Sequence, residues 1–282
     1  MLWLVLNRLQ TCLIPVVFIT VNTRMKRREF VTASLAASSA LTSGQTQGTS
    51  APTAQKQVYE FRVYEFRFGL SQAGLTSYLK DGLMPAMNRL GVKNIGVFSE
   101  MGKTEPAKTY VLIPHASWEA YGTSASKLAA DTAYAQVRAQ YDALTPDKAP
   151  YARYTTTILN AFDGLPSLVV PKAEPRIFEL RTYEGYSEDA VRRKVKMFNV
   201  DEIAIFNTTK LYPVFFGEVV AGGNMPCLTY MLTFKDMAER DANWKQFSAN
   251  PDWKRVSGAA EYANTVSQIH RVFLEPTAYS QV

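Results

Sequence analysis

Histidine and cysteine are nearly absent from this chain, with two of each in 282 residues: His115, His270, Cys12 and Cys227. No CxxC pair and no Cys/His cluster exists, so a zinc site of ordinary ligand spacing is excluded and no metal ligand set is expected. Once the first segment is removed, Cys227 stands alone and no intrachain disulfide can form. There is no glycine-rich phosphate loop and no GxSxG elbow. Long apolar runs are missing as well. "LIPVVFITV" (13–21) is too short for the roughly 20 residues a bilayer requires, and no membrane span is expected in the mature chain. Excess charge is also scarce outside the N-terminus. The net charge is +6, but residues 1–44 hold Arg8, Arg24, Lys26, Arg27 and Arg28 against Glu29, which leaves +2 for the remainder. A nucleic-acid partner loses its electrostatic footing on that count.

What is present is an ordinary globular composition, 47% apolar and 20% charged, with length for about two domains. "MKRREFVTASLAASSALTSG" (25–44) resembles a twin-arginine export signal: two arginines, Phe30, an Ala/Ser-rich run, then small residues. An exported, periplasmic or extracellular location is expected from it. Met1 and Met25 are both possible starts, and the position of the arginine pair favours Met25. Residues 1–44 are read as leader and 45–57, "QTQGTSAPTAQKQ", as a disordered polar linker.

Beyond the linker the chain repeats its grammar. "EFRVYE" (60–65) matches "ELRTYE" (179–184), "GVFSE" (96–100) matches "VFFGE" (214–218), and "TYVL" (109–112) matches "TYML" (229–232). Each half reads as strand, helix, strand, strand, helix, strand. Strands are expected near 58–68, 92–101, 107–113 and 151–162, then near 176–184, 211–221, 227–234 and 265–275. Helices are expected near 71–90, 116–144, 187–207 and 236–263, with breaks at Pro85 and Pro251. The prediction is an α+β protein. Two tandem ferredoxin-like (βαββαβ) units, 58–162 and 176–282, are joined by the proline-rich linker 163–175 and packed sheet to sheet as a pseudo-dimeric α+β barrel.

"VYEFRVYEFR" (58–67) states one pentamer twice, and a five-residue slip would exchange the faces of its strand. The second half fixes the register. Tyr183 follows Arg181 by two, as Tyr64 follows Arg62, so Glu60, Arg62 and Tyr64 answer to Glu179, Arg181 and Tyr183. These sets are expected to face the sheet-to-sheet interior, with Phe61, Val63 and Leu180 turned toward the helices.

The stretch "LYPVFFGEVVAGGNMPCLTYMLTFKDMAERDANWKQFSANPDWK" (211–254), the "ELRTY" strand and the terminal "FLEPTAYSQV" (273–282) together resemble the NIPSNAP family, in particular its exported bacterial two-domain members. The likeness covers nearly all of residues 58–282. It is weaker in the first half, where "AADTAY" (129–134) stands in place of "ANPDW" and lacks its tryptophan. The resemblance implies the dimeric α+β barrel fold. It implies no particular reaction: that superfamily includes cofactor-free monooxygenases, haem enzymes and members without known chemistry. NIPSNAP proteins are mostly described through association with partners and membranes in eukaryotic organelles.

Candidate site residues follow from the repeated strand. Arg62 and Arg181, with Glu60, Glu179, Glu100 and Glu218, either pair across strands to fix register or leave one arginine free to grip a carboxylate or enolate. Tyr64, Tyr183, Tyr110 and Tyr230 can pack or donate hydrogen bonds. Trp244 and Phe247 have core spacing, while Trp253, past the proline break, can reach a pocket mouth. His270 is a candidate general base, with Tyr183 as a second proton carrier, and is the position an axial haem ligand would take. His115 is expected to face solvent, and Cys227 to be a buried thiol. A binding site of Arg181, Glu179, Glu218, Tyr230, Trp253, Arg62, Tyr64 and Glu100, with Tyr183 beside it, is expected for a small organic molecule, with cofactor-free oxygenation or isomerisation as compatible chemistry. The alternatives are a non-enzymatic interaction protein and a haem protein. Further homo-oligomerisation is left open.

Overall fold

The computed structural model describes residues 55–282, apart from Lys103 and Ala173. The expected leader and most of the polar linker lie outside the described residues. Eight strands are present: β1 (Val58–Glu65), β2 (Gly96–Glu100), β3 (Lys108–His115), β4 (Arg153–Ala161), β5 (Ile177–Glu184), β6 (Tyr212–Ala221), β7 (Cys227–Phe234) and β8 (Gln268–Pro276). They close a barrel in the order β1-β3-β2-β8-β5-β7-β6-β4, every neighbour antiparallel. Each half supplies four adjacent strands, and the halves meet where β2 pairs with β8 and β4 with β6. The fold is α+β, with the helices on the outside of the barrel.

The first helix of each half changes pitch midway. α1 (Ala73–Ser77) passes through a π-helical stretch, Tyr78–Leu83, into α2 (Met84–Arg89). α5 (Glu188–Met197) passes through Phe198–Glu202 into α6 (Ile203–Thr208). Pro85 sits in the first turn of α2, where its missing N–H leaves nothing unsatisfied. Ser187 caps α5, its hydroxyl accepting from the Ala190 N–H at 3.2 Å. Ser71 instead stands one residue before Gln72, which occupies the N-cap without a side-chain bond. The segment expected as one helix over 116–144 is two: α3 (Trp118–Ala129) and α4 (Thr132–Asp142), with Asp131 capping α4. Asn250 does the same between α7 (Met237–Ala249) and α8 (Pro251–Ser257). A side-chain acceptor that satisfies the Tyr134 or Trp253 N–H makes a new helix start cheaper than a continued one.

The two faces of β1 and β5 are the reverse of expectation. Phe61 and Leu180 point into the barrel, in one cluster with Tyr59, Phe98, Phe178 and Phe215. Tyr64 packs under α1 and α2, and Tyr183 under α5, α6 and α7. An eight-stranded barrel is just wide enough to be filled by side chains and offers few donors to a buried carboxylate. The helices bring those donors, so the charged set lies on their side.

One further slip separates the halves. Val111 faces Arg62 and Val97, whereas Tyr230 faces Arg181 and Phe216. The structural partner of Tyr230 is therefore Val111. Tyr110, its apparent sequence match, is one residue off and turns into the barrel against Phe61. A one-residue slip in a strand exchanges faces. By the same rule Gly217 takes the inward position that Phe98 holds in the first half. A Cβ there would lie 2.7 Å from Leu159 Cβ, so only glycine fits.

Candidate functional site

The repeated Glu-x-Arg-x-Tyr strand builds two unequal clusters. In the first half, Arg62 donates through Nε to Glu60 Oε1 at 2.7 Å, lies 2.6 Å from it through Nη2, and reaches the Tyr64 hydroxyl through Nη1 at 3.4 Å. All three nitrogens are engaged. His115 is fully buried, contrary to expectation, and its Nε2 lies 3.2 Å from Glu60 Oε2. The strand simply ends one rung below Glu60 and tucks the imidazole under α3, against Tyr121. Burial alone would raise the Glu60 carboxyl, but the His115 bond and the Arg62 charge hold it below the ordinary range.

In the second half the carboxylate is better served. Glu179 is completely buried. Arg181 Nη1 donates to its Oε1 at 2.6 Å, Arg240 clamps both oxygens at 2.8 and 2.9 Å, and the Trp244 indole N–H donates at 2.8 Å. Burial is again opposed, and outweighed, by the Arg240 bond and the Arg181 charge, so Glu179 is held ionised. Because Arg240 carries so much of Glu179, Arg181 is less committed. Its Nε reaches the Tyr183 hydroxyl at 3.2 Å, and Tyr183 and Tyr230 share a hydroxyl hydrogen bond at 2.8 Å. Arg181 Nη2 makes no hydrogen bond among the described residues, and the residue keeps 8% exposure. The guanidinium carbon lies 4.6 Å from the Trp244 ring.

A third cation enters from α5. Lys194 donates to Glu202 at 2.6 Å, and its ammonium lies 4.6 Å from the Phe198 ring and 5.4 Å from that of Trp253. Both ends of this pair are buried. Burial pushes the Glu202 carboxyl up, against the pull of Lys194. It also pushes up the hydroxyls of Tyr183 and Tyr230, so both are proton-bearing groups at neutral pH. The cluster thus holds Arg181, Arg240 and Lys194 against one carboxylate held ionised and one driven toward neutrality.

These opposite shifts predict opposite pH responses. Glu202 lies above its unfolded value, so its contribution is full below that value and is lost as pH rises through the folded one. The stability gap between wild type and Glu202→Gln should shrink with rising pH. Glu179 lies below its unfolded value, so the gap to Glu179→Gln should be full above the ordinary glutamate range and shrink as pH falls through the lowered folded value. Urea unfolding from pH 4 to 8 checks both signs.

The remaining predicted residues lie elsewhere. Trp253 joins the cluster's edge, its ring tilted against that of Phe247 with centroids 4.4 Å apart. Glu218 is on the same face as Phe216 but one rung further along, opposite Leu228 and Asn160, with no hydrogen bond among the described residues. Glu100 faces the barrel interior, where it accepts from the Tyr110 hydroxyl at 2.5 Å. His270 pairs with Thr182, on the face opposite Arg181, and its Nε2 lies 2.5 Å from Glu184 at a half-open barrel end. It does not join Arg181 in one site. Cys227 is buried as expected, its thiol pushed up to about 11 by burial.

Sequence reasoning missed Arg240, Lys194 and Glu202 and undervalued Trp244. Arg240 was within reach, since it precedes Trp244 by four on one helix face. Lys194 and Glu202 were not. The π-helical stretch inserts one residue, so the eighth position takes the place the seventh would hold in a regular helix.

Comparison with known proteins agrees with this architecture. Residues 178–281 match the family model described as NIPSNAP. The chain superposes on a candidate monooxygenase of Fusobacterium nucleatum with 8% identity over 78% of this chain and 92% of that one, TM-score 0.50. A second candidate monooxygenase, from Lactobacillus acidophilus, gives 8% identity, 78% and 94% coverage and the same TM-score, 0.50. A NIPSNAP family protein of Agrobacterium tumefaciens aligns at 14% identity over 40% of this chain and 96% of its own, TM-score 0.35. No curated protein sequence matches the chain.

Proposed function

We propose that this protein, whose residues 178–281 match the NIPSNAP family model, is an exported, tandem ferredoxin-like barrel that binds a small organic anion on the helix-covered face of its second half. The observation that carries the reading is the uncommitted Nη2 of Arg181, beside a Glu179 whose oxygens are already held by Arg240 and Trp244. A ligand carboxylate or enolate offers that nitrogen a charge-assisted bond. Trp244 and Trp253, both partly exposed, flank the approach with aromatic surface. The first half lacks this opportunity, because every nitrogen of Arg62 is engaged.

The chemistry compatible with the cluster needs no cofactor. Arg181 stabilises an anion as it forms, and the Tyr183–Tyr230 hydroxyl pair holds a proton beside it, which suits isomerisation or oxygenation of an activated acid. The monooxygenase descriptions of the two structural neighbours are consistent with that class. Haem ligation by His270 fits poorly, since Glu184 already engages its Nε2.

Native mass spectrometry of the purified protein is the test. A small acidic adduct is expected on wild type and lost in Arg181→Ala, which should stay folded because Arg240 and Trp244 still serve Glu179. An adduct that survives this change would overturn the reading. A bare wild-type chain would favour the second reading, a non-enzymatic interaction protein, which the aromatic filling of the barrel interior supports.

A further inference from the structure

The residue before the first strand of each half holds the linker that joins them. Gln57, just before β1, accepts the Leu168 N–H through its side-chain oxygen at 2.7 Å. Arg176, just before β5, donates through Nη1 to the carbonyls of Lys172 and Glu174 at 2.9 and 3.0 Å. Nη1 alone thus does for the linker what Gln57 does on the other side. The rest of the Arg176 guanidinium has no such task. Its Nε is buried without a hydrogen-bond partner, and Nη2 makes no hydrogen bond among the described residues. These two nitrogens form one edge of the guanidinium, the fork that grips a carboxylate through two parallel bonds. A buried donor left unpaired is costly, and a folded protein carries few of them.

Arg176 also lines a cleft of about 430 Å³ between the linker, the start of β6 and the end of β7, a size ordinary for a small-molecule site. The walls are apolar. Val169, Val170 and Tyr212 are 45%, 43% and 44% exposed there, joined by Pro171, Pro175 and Pro213. The Val169 N–H donates to the Val214 carbonyl at 2.9 Å, which pins the linker wall to β6. The ionic groups favour an anion. Lys172 and Lys235 line the cleft beside Arg176, and neither pairs with a carboxylate among the described residues. Of the two lining carboxylates, Glu239 already accepts the Lys235 N–H at 2.6 Å. Glu174, exposed on the linker, is the remaining competitor for the fork.

We propose that this cleft is a second binding site, in which the Nε/Nη2 edge of Arg176 clamps the carboxylate of a small organic acid and the valine, proline and tyrosine walls take its apolar body. The cleft shares no residue with the Arg181 cluster, and the proposal does not depend on that site.

Isothermal titration of the purified protein with benzoate tests this, with benzamide as the uncharged isostere. A saturable benzoate-binding step is expected, about tenfold stronger than any for benzamide and retained in Arg181→Ala. Arg176→Lys keeps the charge and a donor for the linker carbonyls but loses the fork, so it should weaken that step about tenfold. Val170→Asp, on an exposed wall position outside the hydrogen-bonded linker staple, should weaken it as well while the urea midpoint stays at the wild-type value. Glu174→Gln, which removes the competing carboxylate, should strengthen it. The proposal is overturned by the absence of a saturable step up to about 10 mM benzoate, by equal binding of benzamide, or by a step that vanishes in Arg181→Ala and persists in both Arg176→Lys and Val170→Asp.

Discussion

Glu179→Ala should lower unfolding stability by about 3–5 kcal/mol, the cost of removing one side of a buried ion pair. The reason lies in what is left behind. Glu179 accepts from Arg181, from both donors of the Arg240 clamp and from the Trp244 indole, and it is fully buried. Without it, the donors of Arg181, Arg240 and Trp244 are stranded under α7 without their shared acceptor. Glu179→Gln should cost less, since an amide oxygen still accepts. Arg181→Ala should cost less again, because Glu179 keeps its other partners. The order Glu179→Ala, Glu179→Gln, Arg181→Ala in urea midpoint would establish Glu179 as the structural anchor and Arg181 as the group with freedom for a ligand. An Arg181→Ala loss equal to that of Glu179→Ala would show that the arginine is committed to the fold.

Phe178→Ala should cost a similar amount, about 3–5 kcal/mol, by a different route. Phe178 is fully buried inside the barrel with its ring 4.9 Å from that of Phe98, edge to face. Phe98 belongs to β2 and Phe178 to β5, and both strands pair with β8, so the contact ties one half to the other. The two parallel truncations and their double mutant should reveal a coupling of about 0.5–1.5 kcal/mol. Independent unfolding of the halves would appear as two urea transitions. A single transition, shifted as a whole by Phe178→Ala, is the expected result.

Much of this was legible in the letters. The order of strands and helices, the two-half repeat and the register of Glu60-Arg62-Tyr64 against Glu179-Arg181-Tyr183 follow from pattern alone, because side-chain period and turn chemistry are local. The NIPSNAP likeness, strongest from Leu211 to Lys254, coincides with the matched domain at residues 178–281. The faces were not legible. Alternation says which residues share a face, and Glu60, Arg62 and Tyr64 do. It does not say which face meets the helices, since a half-charged and an apolar face can each be buried once partners exist.

The sequence by itself determined that this chain folds as a repeated α+β unit and that Glu, Arg and Tyr recur together on one strand face. Tertiary structure alone decided that the two copies differ. Arg240 and Trp244 arrive from a helix some 60 residues away in sequence to hold Glu179, and a π-helical stretch carries Glu202 onto Lys194. The first half has His115 in that role, and its arginine is fully engaged. The physical reason is that a buried charge takes its character from the donors packed around it. Those donors come from elements whose distance in the chain carries no signal of their contact.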